Sequence, residues 1–151
     1  MSETASDVFV NWQGARQYQV RREGASPIII DGNRTAGPGP VEALLASLAS
    51  CSAIDVVEYL EKRRTPARSL DVRISAVRAA TPPRRVLSVS LEFTIDGDDI
   101  DRDHTERGIA LALGTYCSVA ASLAGDIEVS TQLILNGTAG ASVSHRLRAS
   151  T

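Results

Sequence analysis

The sequence is short of what metal sites and disulfide frameworks require. It holds two cysteines and two histidines, and no CxxC or HxxxH spacing joins any of them. His104 and His145 stand apart from each other and from Cys51 and Cys117, so nothing supplies the paired ligands of a zinc site, and no cofactor is expected. Positive charge is not in excess either. Sixteen Lys and Arg face eighteen Asp and Glu, for a formal net charge of -2. No segment gathers enough arginine to track a phosphate backbone, which leaves out nucleic acid as a partner. The first residues, "MSETASDVFVNWQGARQYQV", lack a basic start, an apolar run and a small-residue cleavage site. No secretory signal is therefore expected, and the chain is read as cytoplasmic. The uncharged stretch from Ile109 to Gly125 contains Thr115, Tyr116, Ser118 and Ser122. It is too polar for a membrane span and reads as a helix in a protein core, with no membrane as partner.

What is present is enough for one domain: 151 residues, long enough to bury a single core. Residues 1–137 read as that domain, and residues 138–151 as a flexible C-terminal tail. Short strands are expected at 8–12, 16–22 and 26–32, the last ending in the turn signal Asp31-Gly32. Gly37, Pro38, Gly39 and Pro40 keep the loop "DGNRTAGPGP" out of helix until Val41. From Val41 to about Arg64 no proline or glycine intervenes, and Ala43 to Ile54 carries no charge. That predicts one long helix buried on more than one side. Strict alternation follows in "SLDVRISA", "VLSVSLEFTIDG" and "DIEVSTQLIL", the pattern of half-buried strands. Between the last two, Asp103 or Thr105 is expected to cap a second helix that runs through Cys117 to Gly125.

The order β-β-β-α-β-β-α-β is an α+β arrangement, a sheet covering one side of two helices. One sheet from so short a chain cannot cover the apolar circumference of the first helix. A homodimer that packs the helices of two copies between their sheets would.

The two thiols sit in similar surroundings, "LASLASCSAIDVV" and "ALGTYCSVAASLAG". In a reducing compartment such cysteines are inert core residues or redox-active thiols, and the residues alone leave both open. Cys51 lies about ten residues into its helix, beyond the reach of that helix's own dipole. Asp55, one turn onward, opposes ionisation if it faces the thiol without a partner. A reactive Cys51 therefore needs an arginine from outside the helix: Arg34 in the loop just upstream, or Arg16 in the first hairpin as the alternative. Nine helical steps place Glu42 and Cys51 on opposite faces. Glu42 is thus expected to orient an arginine toward the Cys51 of a second subunit, unless the helix bends. Ser52 and Ser118 have no histidine beside them and are expected to bond to backbone.

Together, "GPGPVEALLASLASCSAIDVVEYLEKRR" and "YCSVAASLAGDIEV" resemble the OsmC/Ohr family, the osmotically inducible and organic-hydroperoxide-resistance proteins, over roughly residues 7–137. The resemblance implies the OsmC-like fold, with antiparallel sheets packed on two central helices in an intertwined homodimer. It also implies a thiol-dependent peroxidase without metal or flavin, active in the oxidative stress response. Cys51 would be the peroxidatic thiol, oxidised by an organic hydroperoxide to a sulfenic acid. Cys117 would condense with it to a disulfide, which a dithiol or a lipoylated protein would reduce. Glu42 corresponds to the family glutamate that pairs with an arginine beside the thiol. The alternative function is an apolar small-molecule-binding or redox-sensing protein of the same fold with little peroxidase activity.

Overall fold

The computed structural model describes residue 3 and residues 5–147. Its chain forms two compact units, one up to Leu44 and one from Leu45 onward. In the first, β1 (Phe9–Gly14), β2 (Gln17–Arg21) and β3 (Ile28–Asp31) form the expected antiparallel meander. The β1–β2 pairing shifts register between Trp12 and Gly14. Gly14 there takes φ 107, a conformation that glycine reaches without a Cβ clash. The indole N–H of Trp12 closes the turn on the Ala15 carbonyl at 3.0 Å. Phe9, Val10, Trp12 and Ile28 are nonetheless exposed.

Helix α1 (Pro40–Lys62) starts where the Gly-Pro loop ends. Proline suits a first helical position because its missing N–H would have had no partner there. The Glu42 carboxylate reaches back to accept from the Gly39 N–H at 2.8 Å, the returning half of a capping box. By length and composition α1 is apolar enough to cross a bilayer. Its row Leu48, Ser52, Val56 and Leu60, four residues apart, is instead buried in the second unit's core. Ser52 fits that row because its hydroxyl donates to the Leu48 and Ala49 carbonyls, as expected for a core serine.

The second unit's sheet contains β4 (Ser69–Arg78), β5 (Val86–Asp96), β6 (Glu128–Leu135), β7 (Thr138–Ala139) and β8 (Val143–Arg146). The order is β4-β5-β6-β7, with β8 also paired to β6. Alternation read from the sequence is realised in Val89, Leu91, Phe93 and Ile95 on β5 and in Val129, Thr131, Leu133 and Leu135 on β6, all buried. Leu87 departs from it and is exposed. Among the described residues antiparallel pairing holds for every strand pair but one: β5 and β6 run parallel from Ser88 opposite Glu128 to Ile95 opposite Leu135. The helical connection between them is a crossover, which returns the chain in the direction it left.

Two further expectations need correction. The second helix is not continuous. Its N-cap is Asp101, whose carboxylate accepts from the His104 N–H at 2.8 Å. It then runs as α2 (Arg102–Leu111), a π-helical turn (Ala112–Tyr116) and α3 (Ser118–Ser122). The tail expected from residue 138 is instead β7 and β8, because β6 offers an edge whose backbone groups need partners. Residues 148–151 of that tail lie outside the described residues.

Candidate functional site

The second cysteine owes its position to the break in the helix. The Cys117 N–H closes the π turn on the Ala112 carbonyl at 2.8 Å. Cys117 itself then turns to extended backbone, φ -67 and ψ 111, and becomes the N-cap of α3. Its sulfur accepts from the Ala120 N–H at 3.3 Å, and its carbonyl accepts the first helical bond, from Ala121 at 3.0 Å. The first amides of α3 have no carbonyl one turn earlier to serve, so they remain available as donors.

Cys51, part-buried on α1, meets this corner. Its Sγ lies 3.9 Å from the Ser118 hydroxyl. Burial on its own pushes the Cys51 thiol up. Hydrogen bonds from the Cys117 thiol, the Val119 N–H, the Ser118 hydroxyl and the Ser118 N–H more than offset this and hold it below the ordinary value of 9.0. Cys117 goes the other way. It is buried, and burial first, then its hydrogen bond to Cys51, pushes its thiol up to about 11. The two opposite directions place the proton on Cys117 and the developing charge on Cys51. Sequence reasoning looked for a cation to activate Cys51 and missed these donors. Ser118, expected to bond to backbone, instead brings its hydroxyl to 3.9 Å from the thiol.

The proposed arginine and glutamate are found together in the first unit. Arg34 Nε lies 2.9 Å from Glu42 Oε1. The loop that carries Arg34 is folded around Asp31, a buried carboxylate the sequence reading passed over as a turn signal. Asp31 accepts from the Asn33 N–H at 2.8 Å, the Thr35 N–H at 3.1 Å, the Thr35 hydroxyl at 2.7 Å and the Ala36 N–H at 3.0 Å. These donors, the Thr35 hydroxyl foremost, hold its carboxyl well below the usual carboxylate range. Arg34, at φ 58, is the residue the turn strains. Arg16 lies against Gly32 and makes no ion pair among the described residues. Each unit thus assembles one half of the expected set: Arg34 with Glu42, and Cys51 with Cys117.

A cleft of about 390 Å³ in the second unit is lined by Asp55, one turn after Cys51, by Tyr116, next to Cys117, and by Glu58, Tyr59, Lys62, Gly108 and Leu111; neither thiol is in its wall. A larger cavity of about 660 Å³ over β5, β6 and β8 is lined by Ser88, Ser90, Ser130 and His145 and contains neither thiol. Among the described residues no three His, Cys, Asp or Glu side chains are grouped so as to hold a metal ion.

The chain resembles known proteins over most of its length. It is 30% identical over 121 residues to protein YhfA of Escherichia coli strain K12, a match covering 80% of this chain and 90% of that one. The crystal structure of an OsmC-like protein from Mycoplasma pneumoniae superposes with a TM-score of 0.76 at 15% identity, covering 89% of this chain and 99% of the other. The organic hydroperoxide resistance protein OhrB of Bacillus subtilis gives 0.58 at 14% identity, covering 86% and 98%. These two likenesses bear on the fold. The family described as OsmC-like protein matches residues 31–132, which span the Arg34 loop, α1 with Cys51, and the Cys117 corner. The chain belongs to the OsmC-like protein family.

Proposed function

We propose that the protein is a cysteine-based reductase of organic hydroperoxides. The observation that carries this reading is the opposed ionisation of two adjacent thiols, Cys51 held down and Cys117 held up. A thiolate at Cys51 attacks the terminal peroxide oxygen. An S–O bond forms, the O–O bond breaks, and the organic oxygen leaves as the alcohol after taking a proton. Cys117 then attacks the sulfenic sulfur, water departs and a Cys51–Cys117 disulfide remains. A dithiol, free or carried on a lipoylated protein, returns two electrons by exchange. A cytoplasmic location, where thiols are kept reduced, suits this cycle.

Arg34, held by Glu42, is the cation we assign to the Cys51 thiolate, supplied across an intertwined homodimer. Exposed ion pairs contribute only ~0–1 kcal/mol, so the half-exposed Arg34–Glu42 pair is explained better by a task than by stability. Two features support the dimer. Only 28% of the apolar 18-residue window of α1 is buried within the chain, and Leu44 and Ile54 are exposed on it. The first unit's strands also expose Phe9, Val10, Trp12 and Ile28.

The test is a titration of fully reduced protein with cumene hydroperoxide or hydrogen peroxide, followed by intact mass and peptide mapping. One equivalent of cumene hydroperoxide is expected to remove two hydrogens and join Cys51 to Cys117, at a higher rate than hydrogen peroxide. Thiols that stay reduced, or linkage only between subunits, would refute the reading.

A further inference from the structure

Asp55, one of the residues lining the cleft of about 390 Å³, carries the one buried side-chain oxygen without a hydrogen-bond partner among the described residues, Oδ2. An unpartnered buried carboxyl oxygen is destabilising, and the structure retains it four residues after Cys51. On a helix that spacing puts the two side chains on one face, with Cβ atoms about 5–6 Å apart. Sulfur attack on a peroxide places sulfur, attacked oxygen and leaving oxygen roughly in line, so a proton donor belongs beyond the sulfur, one hydrogen bond past the leaving oxygen. One helical turn covers that distance. The cleft also supplies room for the rest of the molecule, with Leu111, Tyr59 and Tyr116 in its wall. Gly108 lets the Tyr59 ring pack directly on its backbone: a Cβ there would come within 2.7 Å of that ring.

We propose that Asp55 is a catalytic acid, which receives the leaving oxygen of an organic hydroperoxide seated in this cleft and gives it a proton. The inference rests on the peroxidase reading above. The Cys51 thiolate bonds to the terminal oxygen, the O–O electron pair leaves with the organic oxygen, and the Asp55 carboxyl protonates that oxygen to the alcohol. Water then reprotonates Asp55. Its surroundings favour the acid form. Burial, then the charge of Glu58, pushes the carboxyl upward, while Lys62 opposes them. The other lining residues are Tyr59, Gly108, Leu111 and Tyr116.

The test uses the full chain with Cys117→Ser, so that a single turnover ends at the Cys51 sulfenic acid. Cumene hydroperoxide, whose alkoxide needs a proton to leave, is compared with peroxybenzoic acid, whose carboxylate does not. Asp55→Asn is expected to slow cumene hydroperoxide at least tenfold, leave peroxybenzoic acid within about twofold, and flatten the pH profile of the former. Asp55→Glu is expected to recover part of the rate. Equal losses with both oxidants would mark Asp55 as merely structural, and no loss with either would leave it without a role; each overturns the proposal. If the parent Cys117→Ser protein reacts with neither oxidant, it is the peroxidase reading that fails, and the acid with it.

Discussion

The Ser118 hydroxyl stands 3.9 Å from the sulfur of Cys51, one residue beyond the second thiol, Cys117. One short corner therefore presents several donors to a single acceptor, and it makes the two cysteines chemically unequal. Cys51→Ser is expected to abolish peroxide consumption. Cys117→Ser is expected to react once and stop at a sulfenic acid, trapped by dimedone and read by mass. Loss of the first turnover in Cys117→Ser would reverse the roles.

The same inequality is readable as a pH dependence. Cys51 is depressed below 9.0 and Cys117 lies at about 11, so the Cys51 thiolate forms first as pH rises. Iodoacetamide near pH 8 is expected to label Cys51 at least tenfold faster than Cys117, with Cys117 following only in strong alkali. Cys117→Ala removes a donor to the Cys51 thiolate, so the labelling profile of Cys51 should move to higher pH. Equal labelling of both thiols near pH 8 would contradict the assignment.

Arg34 and Glu42 lead to a prediction about assembly. Removing a cation that stabilises a thiolate raises the thiol pKa by about one unit or more, so Arg34→Ala should slow sulfenic acid formation roughly tenfold, and Arg16→Ala much less. If Arg34 serves the partner's thiol, mixing Arg34→Ala chains with Cys51→Ser chains should restore one working site per mixed dimer. Sedimentation at micromolar concentration is expected to show the dimer. A stable 16.0 kDa monomer, or mixtures that recover nothing, would remove this part of the proposal.

Asp31 ties the Arg34 loop to pH. Its carboxyl is lowered in the folded chain, so its contribution to stability is fully present above the ordinary value of 3.8 and is lost as pH falls through the depressed folded value. Urea melts of the parent and of Asp31→Asn should therefore differ most at neutral pH and converge in acid. A difference that grows on acidification would show that the loop is held by something else.

Much of the fold was legible because its signals are local. The alternation along β5 and β6 and the Gly-Pro loop before α1 appear in the structure within a few residues of where the sequence puts them. The site was legible only in its residue types. Cys51, Cys117, Arg34 and Glu42 could be singled out, but the segment "LALGTYCSVAAS" has no proline and reads as unbroken helix. Its opening at Cys117 is set by a five-residue hydrogen-bonded turn, and Gly114 is the sole local hint. Asp31 was hidden for a similar reason: an Asp-Gly pair signals a turn, yet says nothing of how many donors will converge on the carboxylate. Residues 138–146, rich in Gly, Ala and Ser, have little strand character of their own and become strands by pairing with β6.

The π turn before Cys117 amounts to one residue more than a helix of that span requires. Were Cys117 helical rather than extended, a helix could continue through Ser118 and Val119, whose amides would then find carbonyls four residues back. The N–H groups of Ser118 and Val119 would then be consumed inside the helix, and the Cys51 sulfur would lose two of its donors. In this chain the step from a helix with a cysteine in it to a corner beside a second thiol is made by the extended backbone of one residue, Cys117.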